Sequence, residues 1–425
     1  MEAIIVLFLF LLTYYLIISG KFQRSLVAFT IALVIMLLKI CEGITVKQVS
    51  DYVDFNTIGI LLGMMILVGI LKKTGLFQYI AARIVKSSKG KMYLIYITLL
   101  VAVAFFSSVL DNVTTILLFS PVVFLIADTA GISPVSLIFS MIFAANIGGM
   151  TTIVGDPPNI LVGSASGSSF VDFMVVMIWP SLVMLLCTIV YFHFRYPHIR
   201  KIEQSKLQRL MDIDPKKAIE DRPLFLKGIV IFALVIFGFV VHETLDYEAS
   251  LIALTGAAIL MLLSKIDFQE ISQEVEWDTI FFFIGLFTLA KALEDVGIIG
   301  SVANWINQFS SNPLLLILAI LWISAALGGF IGAVPVVTVF IPIVERLQGM
   351  IPHSQELWWA LALGACIGGN LTLSGAAANM VAVGLIEKTQ RTKISFLAFL
   401  KEGVVITIIG LIIATLYLVF RWHMI

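Results

Sequence analysis

The sequence predicts an all-α polytopic membrane protein with about ten transmembrane spans and two re-entrant helical hairpins, built as two inverted-topology repeats with broken helices. Three observations predict this fold class. Of the 425 residues, 60% are hydrophobic and 13% are charged, and the mean hydropathy is +1.06. Apolar runs of about 18 residues, the length that a membrane-spanning helix needs, recur along the chain. The two halves of the chain also resemble each other in sequence.

The internal repeat is clearest in two segments that lie 220 residues apart. The segment IGGMTTIVGDPPNI, from Ile147, aligns without a gap with IGGNLTLSGAAANM, from Ile367. Three further pairs of segments keep the same order, and they begin at Ser25 and Ser250, Val53 and Val275, and Val113 and Val334. We therefore predict a first repeat at residues 1–200, a cytoplasmic basic linker at 201–222 and a second repeat at 223–425.

The connector between the repeats orients the predicted topology, because loops rich in Lys and Arg stay on the cytoplasmic side of a membrane. It carries eight basic residues from Arg195 to Arg222. With the connector inside, 22 of the 27 Lys and Arg residues fall in cytoplasmic loops, at 21–24, 72–91, 195–227, 265–276 and 386–401. We therefore expect a multi-pass protein of the cell membrane, inner or plasma, with its N-terminus outside.

The predicted spans follow from this orientation. They are 3–19, 24–40, 56–71, 135–163, 170–193, 224–241, 249–264, 277–293, 356–385 and 403–421. Two further apolar stretches, 92–128 and 314–346, must each leave and re-enter the membrane on one side, which defines the hairpins. Because each half then holds an odd number of crossings, the second half enters the membrane upside down relative to the first.

Polar residues interrupt this pattern at two places in the first half. The segment 146–164 breaks a span near its centre, since its glycines and Pro157-Pro158 cannot propagate a helix. Asp111 and Asn112 fall at the tip of the first hairpin. Unwound backbone at membrane depth is tolerated only when it is buried in protein or lines a wet cavity. The sequence therefore predicts a cavity floored by the ends of half-helices, which can bind anions and cations.

Asp111 and Asp156 are the carboxylates that stand out. An Asp at the centre of a membrane helix costs about 2.5–3.5 kcal/mol, so such residues usually face a functional interior. Turn capping is the structural alternative for both residues. Asn159 and Asn379 are equivalent in the two repeats and are candidate amide ligands. Threonine and serine hydroxyls in the breaks either complete a binding shell or bond back to their own helix.

The candidate substrate- and ion-binding residues are Asp111, Asn112, Thr114, Thr115, Gly148, Gly149, Thr151, Thr152, Asp156, Asn159, Thr338, Asn370, Thr372, Ser374 and Asn379. A sodium ion is expected at a subset of them, Asp111, Asn112, Asp156 and Asn159.

The second repeat lacks the two carboxylates of the first. Gly332-Ala333 stands where the first repeat has Asp111-Asn112. Three alanines, 376–378, replace the Asp-Pro-Pro run at 156–158. Charge coupling is therefore predicted to be concentrated on the first repeat.

Several function classes find no support in the sequence. The net charge is zero, so a nucleic acid partner is not indicated. The three cysteines fall in no CxxC or Cys/His pattern, and nothing resembles a Walker A loop. No nucleophile and base pair appears within the spans. We therefore expect a protein that is not an enzyme and that has no cofactor, with H⁺ or Na⁺ as the coupling ion.

The segments LDNVTTILLFSPV, NIGGMTTIVGDPPNILVGS and GACIGGNLTLSGAAANMVAVGL resemble the ion transporter superfamily. The likeness covers nearly the whole chain and is strongest to the branch of arsenite efflux permeases, some sodium/proton antiporters and the melanosomal P protein. It implies two re-entrant hairpins, two broken helices, a homodimer and an elevator-like motion. It also implies that the first hairpin tip faces the first helix break. The second hairpin departs from this branch, in which Asp-Asn often recurs there.

The leading hypothesis is a cation-coupled secondary transporter that exports arsenite or antimonite, or a related small inorganic or anionic solute, in exchange for protons. Sodium/proton antiport, organic-anion transport of the dicarboxylate kind and an anion channel are the alternatives. Expected partners are the lipid bilayer, the small solute, a second copy of the chain and, by the likeness to arsenite permeases, a separate soluble ATPase.

Overall fold

A computed structural model describes residues 2–19, 21–202, 207, 214–307, 312–349, 351–390 and 393–424. Its regular structure is helical throughout these residues, and ten of the 22 residues of the predicted linker at 201–222 lie outside them. The first half of the chain holds nine helices of ten or more residues: α1 Glu2–Ile18, α2 Arg24–Leu37, α3 Phe55–Lys73, α4 Leu76–Ser87, α5 Met92–Ser107, α6 Asn112–Ala130, α7 Val135–Gly149, α8 Pro157–Ser166 and α9 Phe170–Arg195.

The described part of the second half holds nine such helices in the same order: α10 Arg222–Leu245, α11 Ala249–Ser264, α12 Trp277–Asp295, α13 Ile298–Asn307, α14 Pro313–Ile331, α15 Ala333–Gln348, α16 Gln355–Gly368, α17 Ala377–Gln390 and α18 Phe396–Met424. Each helix of the first half therefore has a counterpart nine places later. The prediction of broken helices is confirmed, since the spans predicted at 135–163 and 356–385 are each divided into two helices, α7–α8 and α16–α17.

Two helices in these halves were not expected from hydropathy, α4 and its counterpart α13. Helix α4 buries Phe77, Ala81 and Val85, which are four residues apart and share one face, while Arg83 and Lys86 are exposed. Because polar residues interrupt the apolar ones, such a segment has no continuous hydrophobic run. Its helical character is visible only in the spacing of its apolar residues.

Among the described residues, six helices are long and apolar enough to cross a membrane: α3, α6, α9, α10, α14 and α18. Two of them, α6 and α14, are legs of the predicted hairpins, and each is 19 residues long. The hairpins at 92–128 and 314–346 exist as helix pairs, α5–α6 and α14–α15. Their re-entry on one side of the bilayer remains a prediction.

The helices pack in pairs that follow the repeat. Within each half, the first leg of the hairpin packs on the helix that precedes the break, α5 on α7 and α14 on α16. Between the halves, α2 packs on α12 and α11 packs on α3. Each of these pairs packs closely because one of its helices has a glycine at the contact. Gly63 of α3 lies against the backbone of Ala253, and Gly285 of α12 lies against the backbone of Ala28. The two halves therefore form one interlocked structure.

Candidate functional site

The site is built on the two helix breaks, which share one hydrogen-bond pattern. In the first break, Asn159 Nδ2 donates to the carbonyl oxygens of Gly149 at 3.1 Å and Thr152 at 3.0 Å. In the second, Asn379 Nδ2 donates to the carbonyl oxygens of Gly369 and Thr372, both at 2.8 Å. Both asparagine side chains are fully buried. Each asparagine thus satisfies backbone acceptors that the break has freed from the helix.

Each hairpin is seated on its break in the same way. Thr152 Oγ1 donates to the carbonyl oxygen of Ser108, and Thr372 Oγ1 donates to that of Gly329. The helix before each break approaches the hairpin closely through a glycine. A Cβ atom at Gly148 would overlap the backbone of Ala104, and one at Gly368 would overlap the backbone of Ala325. The two breaks therefore have equivalent supports.

The tip of the first hairpin carries polar side chains with defined partners. Asp111 caps α6, because its Oδ1 accepts a hydrogen bond of 2.8 Å from the Thr114 N–H. Asn112 Oδ1 accepts a bond of 2.5 Å from Ser107 Oγ. The Asn112 amide lies over Gly149, where any side chain would overlap it. The first tip therefore brings a carboxylate and an amide to the first break.

The tip of the second hairpin starts its helix without a side-chain cap. Gly332 has φ of 106°, a conformation that residues with a Cβ rarely adopt. The Ala333 N–H donates to the carbonyl oxygen of Gly375 at 3.3 Å, and α15 has no side-chain cap. Because Pro335 has no N–H, Val334 is the residue of this first turn whose N–H stays without a partner in the helix, and the tip carries no acid.

Two repeat-equivalent positions, Asn146 and Cys366, connect the halves at the centre. Asn146 Nδ2 donates to Asn379 Oδ1 at 3.0 Å and to Asn370 Oδ1 at 3.1 Å. In the reverse direction, the Cys366 thiol donates to Asn159 Oδ1 at 3.1 Å. Each break is therefore bonded to the helix that precedes the opposite break.

A cavity of about 450 Å³ lies where the tips and the breaks meet. The first half contributes Asp111, Asn112, Asn146 and Asp156, and the second contributes Cys366 and Ser374. Apolar residues of α1, α3 and α12, and the helix starts at 333 and 377–378, also line it. The cavity thus lies between the hairpin and break helices on one side and helices α1, α2, α3 and α12 on the other.

Charged residues from the α2–α12 pair also line this cavity. Within the described part of the chain, Arg24 is the one basic residue in its lining, and its guanidinium lies 5.4 Å from the centre of the Phe282 ring. Glu276, which precedes α12, accepts a hydrogen bond of 3.0 Å from Thr279 Oγ1. Burial raises the pKa of Glu276 to about 7. Sequence reasoning missed both residues because they lie in or beside predicted cytoplasmic loops.

The predicted site residues divide into three groups. Four of them line the central cavity: Asp111, Asn112, Asp156 and Ser374. Ten others lie at the hairpin tip or within and beside the breaks, outside the lining: Thr114, Thr115, Gly148, Gly149, Thr151, Thr152, Asn159, Asn370, Thr372 and Asn379. Thr338 instead lines a separate cavity of about 290 Å³ with Asp51, Asp54 and Lys291.

Asn146 and Cys366 were also missed, although one signal could have found them. They occupy the same position in the two repeats, and Asn146 is a polar residue within the apolar run of α7. The repeat alignment starts one residue later, at Ile147 and Ile367, so the pair fell outside it.

Known proteins are similar to this chain in sequence and in fold. The profile of the citrate transporter family matches residues 14–364. An uncharacterized transporter of Mycobacterium tuberculosis (strain H37Rv) is 36% identical over 425 residues, which cover 99% of each chain. The P protein of Homo sapiens is 29% identical over 95% of this chain and 58% of its own. The crystal structure of the YdaH transporter of Alcanivorax borkumensis, described as having an unusual topology, covers 98% of this chain and 97% of that chain with a TM-score of 0.58 at 13% identity.

The predicted resemblance to the ion transporter superfamily and the P protein branch is confirmed by these matches. The predicted all-α polytopic fold class is confirmed by the helical structure and by the likeness to the YdaH transporter. The chain belongs to the citrate transporter family and is a multi-pass secondary transporter of the membrane.

Proposed function

We propose that this transporter moves a small organic anion of the citrate class across the cell membrane, coupled to a cation. One observation carries the proposal. Two helix breaks with the same hydrogen-bond pattern face one cavity, and they differ in charge. A cavity with a negative side and a side of free amide donors suits the simultaneous binding of a cation and an anion.

The first break and its hairpin tip suit the cation. Asp111 and Asp156 both line the cavity. Helix α8 begins with Pro157 and Pro158, which have no N–H to offer an anion. Helix α7 also ends here, and the C-terminal end of a helix carries a partial negative charge. Carboxylates and helix carbonyls are the groups that bind sodium or hold a proton.

The second break and its hairpin tip suit the anion. Helix α17 begins with Ala377 and Ala378 at the positions of the two prolines, and both alanines line the cavity. Their N–H groups belong to the first turn and have no partner within the helix. The start of α15 adds the N–H of Val334, which also lines the cavity, and no acid. Helix N-termini bind carboxylates and phosphates in this way.

The presence of Arg24 in the cavity lining favours a negatively charged substrate over a neutral one. Its guanidinium is half-buried and lines the cavity beside the start of α2. Under the predicted topology, residues 21–24 are cytoplasmic, so the cavity opens inward. A cation there raises the local concentration of anions.

Uptake into reconstituted vesicles tests the proposal. We expect saturable uptake of radiolabelled citrate that depends on an inward Na⁺ or H⁺ gradient. Asp156→Ala, which copies Ala376 of the second break, should reduce gradient-driven uptake at least tenfold, since the removal of one buried ligand of an ion costs on the order of 1.5–3 kcal/mol. Asp172→Asn is the control, because Asp172 lies in the first turn of α9, accepts a hydrogen bond from Ser169 Oγ and is not part of the cavity lining as described.

Other results would point elsewhere. Uptake that rises without saturation and follows the membrane voltage would indicate an anion channel. Citrate uptake that is absent under every cation gradient would overturn the proposal.

Sodium/proton antiport is the second candidate, because two carboxylates in one cavity can exchange a proton for a sodium ion. A pH dye inside the vesicles tests it. A change of internal pH on addition of sodium, without any anion, would favour the antiporter. Arsenite or antimonite export stays a prediction, and it is measured in the same vesicles as saturable arsenite flux driven by a pH gradient.

A further inference from the structure

We infer that helix α4 binds an anionic phospholipid of the cytoplasmic leaflet, with the lipid phosphate on Arg83 and Lys86. This site is separate from the central cavity and does not depend on which solute the protein carries. Helix α4 has 12 residues and is about 18 Å long, which is too short to cross a bilayer. It joins α3 to α5 within the loop predicted to be cytoplasmic, at 72–91. We therefore expect it at the inner surface of the membrane.

The exposed face of α4 has an apolar edge and a basic edge. The other face of the helix is buried against the protein. The exposed face borders a cavity of about 520 Å³, lined by Tyr79, Ile80, Arg83, Ile84, Lys86 and Ser87. Ile80 and Ile84 are one helical turn apart and share one edge, and the two basic residues share the other. Basic and apolar residues side by side are typical of helices that lie in a membrane interface.

Arg83 is oriented by an aromatic stack. Its guanidinium carbon lies 5.8 Å from the centre of the Tyr79 ring. The Tyr79 ring in turn lies edge-on to Phe225 of α10, with the ring centres 5.7 Å apart. A guanidinium held in this way loses less freedom when it binds, and its planar donors match a pair of phosphate oxygens.

The charge of this region is positive and is not neutralised by the protein. From residue 75 to residue 110 the chain has four Lys or Arg residues and no Asp or Glu. Arg83 and Lys86 are exposed, and neither forms an ion pair within the described part of the chain. Lys72, earlier in the same loop, instead pairs with Glu274 at 2.8 Å. A negatively charged partner from outside the chain is therefore complementary to this surface.

Comparison with α13, the repeat equivalent of α4, separates lipid binding from a structural role. Both helices follow a glycine with φ of 79°, Gly75 and Gly297, and both are amphipathic. Helix α13 contains no charged residue. The fold therefore requires an amphipathic helix at this place but not a basic one. The predicted topology puts α13 at the outer face, so the basic helix is the one that faces the anionic cytoplasmic leaflet.

The two edges together favour a lipid over a soluble anion. A free phosphate would contact the basic edge alone and leave Ile80 and Ile84 facing the cavity. An anionic phospholipid carries a phosphate and acyl chains in one molecule, so it can cover both edges at once.

The test is the thermal stability of the purified protein in detergent, titrated with phosphatidylglycerol or with zwitterionic phosphatidylcholine. We expect phosphatidylglycerol to raise the melting temperature in a saturable way, and phosphatidylcholine to raise it less. Arg83→Gln with Lys86→Gln should raise the half-saturating concentration of phosphatidylglycerol at least about tenfold. An unchanged value would overturn the inference.

The matched control is Lys388→Gln with Lys401→Gln. It removes two exposed lysines from another loop predicted to be cytoplasmic, and its half-saturating concentration should equal that of the wild type. An equal rise in this control would attribute the effect to general surface charge and would contradict a site on α4.

Soluble probes distinguish a lipid from a free anion. Inorganic phosphate, and glycerophosphoglycerol, which is the headgroup without acyl chains, should leave the melting temperature unchanged at concentrations at which the lipid saturates. A full shift with either probe would assign the site to a soluble anion and overturn the lipid proposal.

Hydrogen exchange of the wild-type protein in nanodiscs covers the case in which the glutamine variant does not fold. Backbone exchange over 76–87 should be slower in phosphatidylglycerol than in phosphatidylcholine, and exchange over 298–307 should be the same in both. Equal exchange over 76–87 in the two lipids would show that α4 does not bind the anionic headgroup.

Discussion

The two helix breaks have the same supports and opposite chemistry. In both, an asparagine clamps two backbone carbonyls, a threonine bonds to the hairpin, and a glycine lets the hairpin come close. The groups that face the cavity differ. The first break presents Asp156 before two prolines, and the second presents Ala376 before two alanines.

This difference separates the residues that stabilise the fold from the residues that determine which ligands bind. Residues kept in both repeats make buried bonds to backbone that any such break requires. The acids and prolines that the second repeat lacks, Asp111 and Asp156 with Pro157 and Pro158, all line the cavity. A duplicated structure can therefore acquire a cation side and an anion side with few substitutions.

The largest expected effect comes from the shared supports. Gly148→Val and Gly368→Val each force a side chain into the backbone of the facing hairpin leg. Overpacking of this kind costs about 1–3 kcal/mol or more, and we expect both variants to lose melting temperature in detergent to a similar extent. Gly384→Ala is the control, because a Cβ there meets nothing within 4 Å. A lower melting temperature in only one of the two variants would show that the two supports are not equivalent.

An intermediate effect is expected when the second break is made to resemble the first. The double variant Ala377→Pro with Ala378→Pro removes two amide donors, and the first repeat shows that prolines fit at these helix positions. The KM for citrate should rise about tenfold, since a hydrogen bond to a charged group contributes about 1.5–3 kcal/mol. The dependence of uptake on the coupling cation, Na⁺ or H⁺, should not change.

The control for the proline variant is Ala377→Ser with Ala378→Ser, which keeps both N–H groups. An equal rise of KM in the serine variant would attribute the effect to side-chain size. A changed dependence on the coupling cation without a change in the KM for citrate would contradict the assignment of the anion to the second break.

The smallest expected effect concerns Arg24 at the side of the cavity. Arg24→Gln should raise the KM for citrate about two- to threefold at low ionic strength, as expected for a partly exposed charge. The difference should shrink near 1 M salt, where the Debye length is about 3 Å. Lys21→Gln is the control, because Lys21 is exposed nearby and is not part of the cavity lining as described. An equal effect of both variants would mean that Arg24 acts through general surface charge.

Most of the helices could be predicted from the sequence, and the contents of the cavity only in part. Apolar runs and the proline-glycine break are local signals, so the spans and both breaks were found with their order. Asp111 and Asp156 were found because an acid in an apolar run is conspicuous. Asn159 and Asn379 were predicted as candidate ligands, and the structure shows their amides engaged with backbone, which sequence spacing does not reveal.

The sequence by itself determined a membrane-embedded, duplicated chain with two broken helices, because length, hydropathy and the repeat offset are properties of local segments. Only the tertiary structure decided which polar atoms meet. Asn146 contacts Asn370 and Asn379 across more than half of the chain, and Arg24 enters the cavity through the packing of α2 on α12. Such contacts depend on how helices of both halves interlock, and the direction of a side chain within a helix is set by those neighbours.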